Sequence, residues 1–261
     1  MIRRRAGIEL DENCGAFLRA RLGARLTGLN EADFTAYVAR LGRDPGEQRW
    51  CVEALTTHTT SFFRERSQFD WLNDKGVPAL LEQRASNREP LTLWSAACST
   101  GQEGYTALMT VVDALRRQGR DSVATRLVGT DISRRVLSEA QRGIYQGAEA
   151  SSVPEDLAER YLMRSRSGDG RVRIVPELRK RAAWTIGNLA EDDKLPSIAA
   201  DIVFVRNVLI YFSAETRARV LANVIKRLRP NGYLLVGHAE AGGARHPDLI
   251  MLCPSIFMKA G

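Results

Sequence analysis

The sequence predicts an α/β protein. A mostly parallel sheet, flanked by helices and closed by an antiparallel last strand, follows a small all-helical domain and carries an inserted β-subdomain. Three observations predict it. Short apolar runs alternate with helical patterns from Leu91 onward. Residues before about 75 show helical periodicity alone, and between about 148 and 182 the alternation breaks. The domains are therefore expected at 1–75 and 91–261, with a linker over 76–90 and the insertion at about 148–182.

The elements follow in order. Leu18, Leu22 and Leu26 form one helical stripe, with Arg21 and Arg25 on an adjoining face. Phe34, Tyr37, Val38 and Leu41 repeat at i, i+3, i+4, i+7, and a third helix runs through Cys51 and Leu55 after the breaker "RDPGE". "NDKGVPALLEQRASNREP" carries an apolar helix and ends in a polar, proline-terminated stretch, the expected linker. "LTLWSAA" reads as a strand followed by a helix through Tyr105, Leu108, Val112 and Leu115. "RLVGTDI" precedes a helix through Val136 and Ala140, and "WTIGNL" is a third strand. "DIVFVRNV" precedes a helix through Val220, Val224 and Leu228, and "YLLVGHA" comes next. Such alternation means a parallel sheet with helices on both faces. Within the insertion, "SVPEDLAERYLMR" reads as a short helix and "GDGRVRIVPEL" as a hairpin with an Asp-Gly turn. The tail "LIMLCPSIFMKAG" gives two short strands.

Composition narrows the function classes. No apolar run approaches the ~20 residues of a membrane span, and "MIRRRAGIELDE" has a signal peptide's charge without an apolar segment behind it. A cytoplasmic protein is expected. Cys14, Cys51, Cys98 and Cys253 are scattered, and with His58, His238 and His246 they offer no metal-ligand spacing. Reduced thiols and no metal are expected. The net charge of +7 comes almost wholly from arginine. It suits an acidic partner, or it reflects a genome that writes arginine for lysine.

In an open α/β sheet, ligands bind outside the carboxyl ends of the strands. After the first strand, "AACSTGQEGY" offers small residues at Ala96, Ala97, Ser99 and Gly101, which let a ligand approach the backbone. Only Gly101 and Gly104 are present of the three glycines a dinucleotide fingerprint needs. Glu103 would repel a pyrophosphate at this helix N-terminus. A phosphate-free cofactor with a positive centre fits better, and S-adenosylmethionine is one; a turn made small for packing is the other reading. Asp131 in "GTDIS" suits two ribose hydroxyls, or caps the next helix. Asn188 and Leu189 follow the third strand and suit an adenine, and Arg206 and Asn207 end the fourth.

These residues resemble the CheR family, the chemotaxis-receptor glutamate O-methyltransferases. The resemblance rests on "TTHTTSFFRE", "WSAACSTGQEGYT", "GTDISRRVLSEAQRGIY", "YLMRS…VRIVPEL", "VRNVLIYF" and "LRPNGYLLVGHAE", which span nearly the whole chain in the family's order. It implies a Rossmann-like S-adenosylmethionine-dependent methyltransferase sheet, with S-adenosylhomocysteine as product. It carries cofactor contacts over to His58, Thr60, Arg64, Glu103, Asp131, Asn188, Leu189, Arg206 and Asn207, with Ala97 in the turn. It places Tyr211 near the reacting methyl group and Arg64 projecting from the helical domain, so Arg64 and Tyr211 are the expected catalytic residues. His58 replaces an asparagine, Gln102 a glutamate and Gly104 a proline of the family pattern.

Two residues keep a plainer reading. His58 continues the spacing of Cys51, Leu55 and Phe62, as a residue packed in a helix would. Arg64 is within reach of an exposed pair with Glu65 or Asp70. The family's partner is the acidic helical cytoplasmic part of a chemoreceptor, and Arg19, Arg21 and Arg25 are candidates to steer it. A monomer is expected, with no nucleic-acid partner and no membrane insertion. The rival functions are a methyltransferase acting on nucleic acid, which the charge suggests, and a cofactor-binding regulatory module, which Gln102 and His58 would permit. Against the first stand the lack of an aromatic-lined basic stretch and "RNVLIYF" in place of an Asn/Asp-Pro-Pro-Tyr-like sequence; against the second stand Arg64, Asp131, Asn207 and Tyr211.

Overall fold

The computed structural model describes residues 7, 14–56, 58–83 and 89–261. The chain divides into two compact units, Met1–His58 with Tyr211–Ser213, and Thr59–Ile210 with Ala214–Gly261. The first unit contains helices α1 (Gly15–Gly28), α2 (Phe34–Leu41) and α3 (Pro45–Leu55). Asp33 and Asp44 cap α2 and α3 by accepting from the backbone N–H groups of Ala36 and Glu47, and Pro45 opens α3, where its missing N–H costs nothing.

Leu22, Leu26, Tyr37, Leu41, Cys51 and Leu55 make the helical core. Val38, expected on the same stripe, is 64% exposed. Tyr37 and Leu41, four apart, take the inward direction, and Val38 lies a further ~100° round the helix. Tyr37 turns inward because its hydroxyl meets the buried Glu47 carboxylate at 2.7 Å. Arg25 donates to the same carboxylate through Nε (3.0 Å) and Nη2 (2.6 Å), so it is committed inside its own unit rather than available for steering.

The second unit is built on a seven-stranded sheet in the order β6-β2-β1-β7-β8-β10-β9. Its strands are β1 (Leu91–Ala96), β2 (Thr125–Asp131), β6 (Ala182–Ile186), β7 (Ala200–Val205), β8 (Leu228–Val236), β9 (Leu249–Cys253) and β10 (Ile256–Lys259). The first five pair in parallel, and β10 runs antiparallel to both β8 and β9, as the tail's composition predicted. Every residue of β1 and β7 is buried, which explains their unbroken apolar character. Helices α6 (Gln102–Arg117), α7 (Arg134–Arg142) and α10 (Ala214–Arg227) follow β1, β2 and β7 in the chain.

Residues 59–83 belong to this unit, not to a helical domain reaching 75. They form α4 (Arg66–Trp71), a π-helical turn (Leu72–Gly76) and α5 (Val77–Gln83), the last within the expected linker. The reason is apolar: Phe62, Phe63, Phe69, Leu72, Val77 and Leu80 are buried in one core with Leu93, Phe204 and Leu235 of the sheet. Residues 84–88 of the expected linker lie outside the described residues.

The insertion contains β3 (Ile144–Gln146), β4 (Leu162–Arg164) and β5 (Arg171–Ile174), an antiparallel sheet in the order β3-β5-β4, with α8 (Glu155–Tyr161) before β4. The hairpin is formed by β4 and β5, with Asp169 and Gly170 in the loop that joins them; its first strand falls in the stretch read as a helix, and the chain past β5 enters α9 (Pro176–Arg181). Pro176 at the first helical position sets this, since its fixed φ suits a helix start and it has no N–H for a ladder.

Candidate functional site

Strand order reverses between β1 and β7, the place where open sheets of this kind bind ligands. The register sets the site's elements at one level. Ala96 pairs with Thr130 on one side and Val205 on the other, while Asp131 pairs with Ile186 and Val205 with Val236. Ala97, Asp131, Arg206 and Gly237 therefore stand in neighbouring rows at the carboxyl edge of the sheet, with Asn188 just beyond β6.

The loops there are held in conformations that side chains rarely adopt. Ala97, Ser99 and Asn207 have φ of 63, 50 and 57°, Gly101 has 92°, and Phe63 and Glu65 have 51 and 57°. Non-glycine residues at positive φ persist only where the surroundings over-determine them, which is common at functional sites. Asp131 supplies part of that constraint. Its carboxylate accepts from the backbone N–H of Ser99 (2.9 Å), holding the β1 loop, and from that of Ser133 (3.0 Å). The cap of α7 is Ser133, so Asp131 is left to organise the turn.

Arg206 is the centre of the cluster. Its side chain is 1% exposed and meets Glu103 at 3.1 Å and Glu65 at 3.2 Å, with the guanidinium 5.3 Å above the Phe69 ring. It also donates to the Arg64 carbonyl oxygen, and its Nε–H is buried with no acceptor. Glu103 accepts a second bond from Ser95 Oγ at 2.7 Å. Burial nonetheless holds the Glu103 carboxyl above its ordinary range, outweighing the attraction of Arg206 and the Ser95 bond.

Asn207 is fixed through its backbone, which donates to Glu240 at 2.7 Å. The buried Glu240 carboxylate also takes the N–H groups of Ile210 (3.2 Å) and Gly237 (2.9 Å), so one carboxylate joins the loops after β7 and β8. A side chain at 237 would stand 2.5 Å from that carboxylate.

Asn188 and Leu189 are buried after β6. Asn188 braces its own loop, accepting from the Ala190 N–H (3.1 Å) and donating to Glu191. The Leu189 carbonyl accepts from Asn223 at 2.9 Å. Thr60 is half-buried. Arg64 lies in the sheet unit and its guanidinium donates to the Thr59 carbonyl at 3.1 Å, while Glu65 goes to Arg206 and the Arg66–Asp70 pair closes at 3.6 Å.

His58 and Tyr211 belong to the helical unit, so the sheet unit alone gathers Thr60, Arg64, Ala97, Glu103, Asp131, Asn188, Leu189, Arg206 and Asn207. Helix α3 ends at Leu55, so His58 does not continue its stripe; its Nε2 lies 2.7 Å from Thr56 Oγ1. Two departures from the family pattern find physical reasons. Gln102 is buried, accepts from Thr100 Oγ1 (2.7 Å) and donates to Glu149 (3.3 Å). Gly104 faces the Trp184 ring, which a side chain there would meet at 3.0 Å; the same ring lies against Gly101 and Gly129.

Glu65, Gln68 and Glu240 were not foreseen. Glu240 stands in the "GHAE" that follows a strand, a position where a carboxylate signals something. Glu65 and Gln68 carried no such mark.

The donor set fits S-adenosylmethionine. Two carboxylates, Glu65 and Glu103, meet one guanidinium, Arg206, and a third, Asp131, stands on the same carboxyl edge two strands away, so the edge suits a cation rather than a phosphate, and the unmet Arg206 Nε–H leaves a donor for an acceptor group. No helix among the described residues is long and apolar enough to cross a membrane, and no metal-binding group of His, Cys, Asp or Glu occurs among them.

Residues 58–254 match the family described as CheR methyltransferase, SAM binding domain, and residues 1–56 its all-alpha domain. The chain is 37% identical over 238 residues to chemotaxis protein methyltransferase 2 of Pseudomonas aeruginosa, covering 91% of this chain and 82% of that protein. It is 33% identical to the chemotaxis protein methyltransferases of Borreliella burgdorferi (97% and 89% covered) and Salmonella typhimurium (92% and 81%).

Proposed function

The chain belongs to the CheR methyltransferase family, using S-adenosylmethionine for methylation in chemotaxis, and on that premise we propose that it esterifies glutamate side chains on the cytoplasmic helices of a chemoreceptor. The observation that carries the reading is the Glu65–Arg206–Glu103 cluster at the switch point, a buried and predominantly anionic edge beside which Arg64 lies next in the chain. When bound, S-adenosylmethionine supplies a methyl group on a positive sulfur. Within the sheet unit, Glu103, Asp131, Arg206, Asn207, Asn188, Leu189, Ala97 and Thr60 would hold it.

The acceptor needs little activation. A glutamate side chain has a pKa near ~4.3 and is ionised at neutral pH, so no general base is required. What the protein must provide is alignment, which is worth several orders of magnitude when reacting atoms are held in line. Arg64 suits this task. Among the described residues one hydrogen bond, to the Thr59 carbonyl, engages its guanidinium, and it lies between the two left-handed residues Phe63 and Glu65. A guanidinium pairs with a carboxylate in a fixed fork and so orients it. The reaction is placed in the cytoplasm, where such receptor helices lie.

The test is methyl transfer from labelled S-adenosylmethionine to a chemoreceptor cytoplasmic fragment, scored as methanol released by alkali. Base-labile label is expected, falling about 100-fold for Arg64→Ala, the scale of lost positioning. Label on nucleic acid alone would establish the rival acceptor. Cofactor binding with no transfer to either acceptor would establish the regulatory module.

A further inference from the structure

We propose that Glu65 is a positioning residue for methyl transfer, acting through Arg64; this rests on the role given to Arg64 above. Glu65 adopts φ 57° and ψ 55°, the left-handed region that a glutamate enters at a cost. Phe63, on the other side of Arg64, is left-handed as well, at φ 51°. The turn that presents Arg64 is thus bent at both neighbours and needs ties to hold it.

The ties are visible. On one side the Phe63 N–H donates to Thr106 Oγ1 at 3.3 Å. On the other, the Glu65 carboxylate accepts from the His238 N–H with both oxygens at 3.3 Å and pairs with Arg206 at 3.2 Å. Arg206 returns to the turn by donating to the Arg64 carbonyl oxygen. Glu65 therefore moors the Arg64 turn to the ends of both β7 and β8. Its carboxylate is only 15% exposed, and no other acceptor on the turn's side chains reaches Arg206. A glutamate whose only task was to start α4 would use its side chain as a cap, and Glu65 makes no capping bond.

The experiment is a double-mutant cycle in the full chain, read as kcat for alkali-labile ester on the receptor fragment. Glu65→Gln keeps the shape and removes the charge. It is expected to lower kcat about tenfold when Arg64 is present and less than about twofold in the Arg64→Ala background, because a residue acting through another has nothing left to act on. His238→Pro against His238→Ala is the second pair. Residue 238 opens a 3-10 helix, where proline is tolerated, so the two differ chiefly in the N–H that Glu65 accepts. The proline variant is expected to be the slower, again only with Arg64 present. Equal losses with and without Arg64, or no loss in Glu65→Gln and in the proline variant, overturn the proposal. No ester from the unaltered protein overturns the reading beneath it instead.

Discussion

Replacing Arg206 by methionine removes the one guanidinium of the cluster while keeping a chain of similar length. The change breaks ion pairs of 3.1 Å to Glu103 and 3.2 Å to Glu65 and leaves two carboxylates, 12% and 15% exposed, without their cation. Removing one partner of a buried pair costs about 3–5 kcal/mol. Glu103 keeps Ser95, and Glu65 keeps the His238 N–H, so the lower end applies, about 3 kcal/mol at pH 7.5. That is roughly a hundredfold in the folding equilibrium. The pH dependence has a definite sign. Burial raises the Glu103 carboxyl above its ordinary 4.5, so its contribution to stability is full below 4.5 and is lost as pH rises through the folded value. Arg206 attraction opposes that rise, and without it the folded value climbs further. The stability gap between the two proteins must therefore widen from pH 4.5 to 7.5. Urea denaturation followed by tryptophan fluorescence reads the gap, since Trp71, Trp94 and Trp184 all lie in the sheet unit. A gap under about 1 kcal/mol, the size of an exposed pair, or one equal at both pH values, refutes the reasoning.

Two further outcomes follow from packing and charge. Glu47→Gln in the helical unit weakens the hydrogen bonds that first of all hold the Glu47 carboxyl below its ordinary 4.5, those of Arg25. Stability from that carboxylate is present above 4.5 and lost as pH falls through its lowered value, so the substitution is expected to cost about 1.5–2 kcal/mol at pH 7, discounted for the half-exposed Arg25, and progressively less as pH falls below 4.5. Amide exchange in α1 and α3 measures it. Gly129→Ala places a methyl 2.2 Å from the Trp184 ring and is expected to destabilise by about 1–3 kcal/mol. Trp184→Leu in the same chain is expected to recover most of that loss, and additive losses would show that the ring is not the obstacle.

The strands were legible because burial on both faces writes itself as runs such as "DIVFV", and a polar residue ending such a run shows where the site is. Asp131, Arg206 and Asn207 were read this way, and the structure sets them at the carboxyl edge of the sheet. Residues whose role comes from distant partners were not. Glu65 reads as one more charge after "FFR", yet its partners are Arg206 and His238, more than 140 and 170 positions away. Periodicity also misled where two residues compete for one direction, as Tyr37 and Val38 do. It was silent where apolar residues that read as helix serve a sheet. Phe62, Phe69 and Leu72 give a helical pattern in either domain, and only the sheet's need for cover decides between them.

Gln68 carries the consequence of that cover furthest. It is buried, and its amide donates to the Val236 carbonyl at 2.7 Å and to Ser255 Oγ at 2.6 Å. A chain made from its N-terminus first produces the segment that holds Arg64 long before the strands that anchor it. Gln68 has its first acceptor only when synthesis has passed Val236 and its second only past Ser255, and contacts of such separation close late and slowly. A ribosome-bound nascent chain thus carries Gln68 without its full set of partners, and the cover it fastens over the sheet is complete only when the last hairpin has joined.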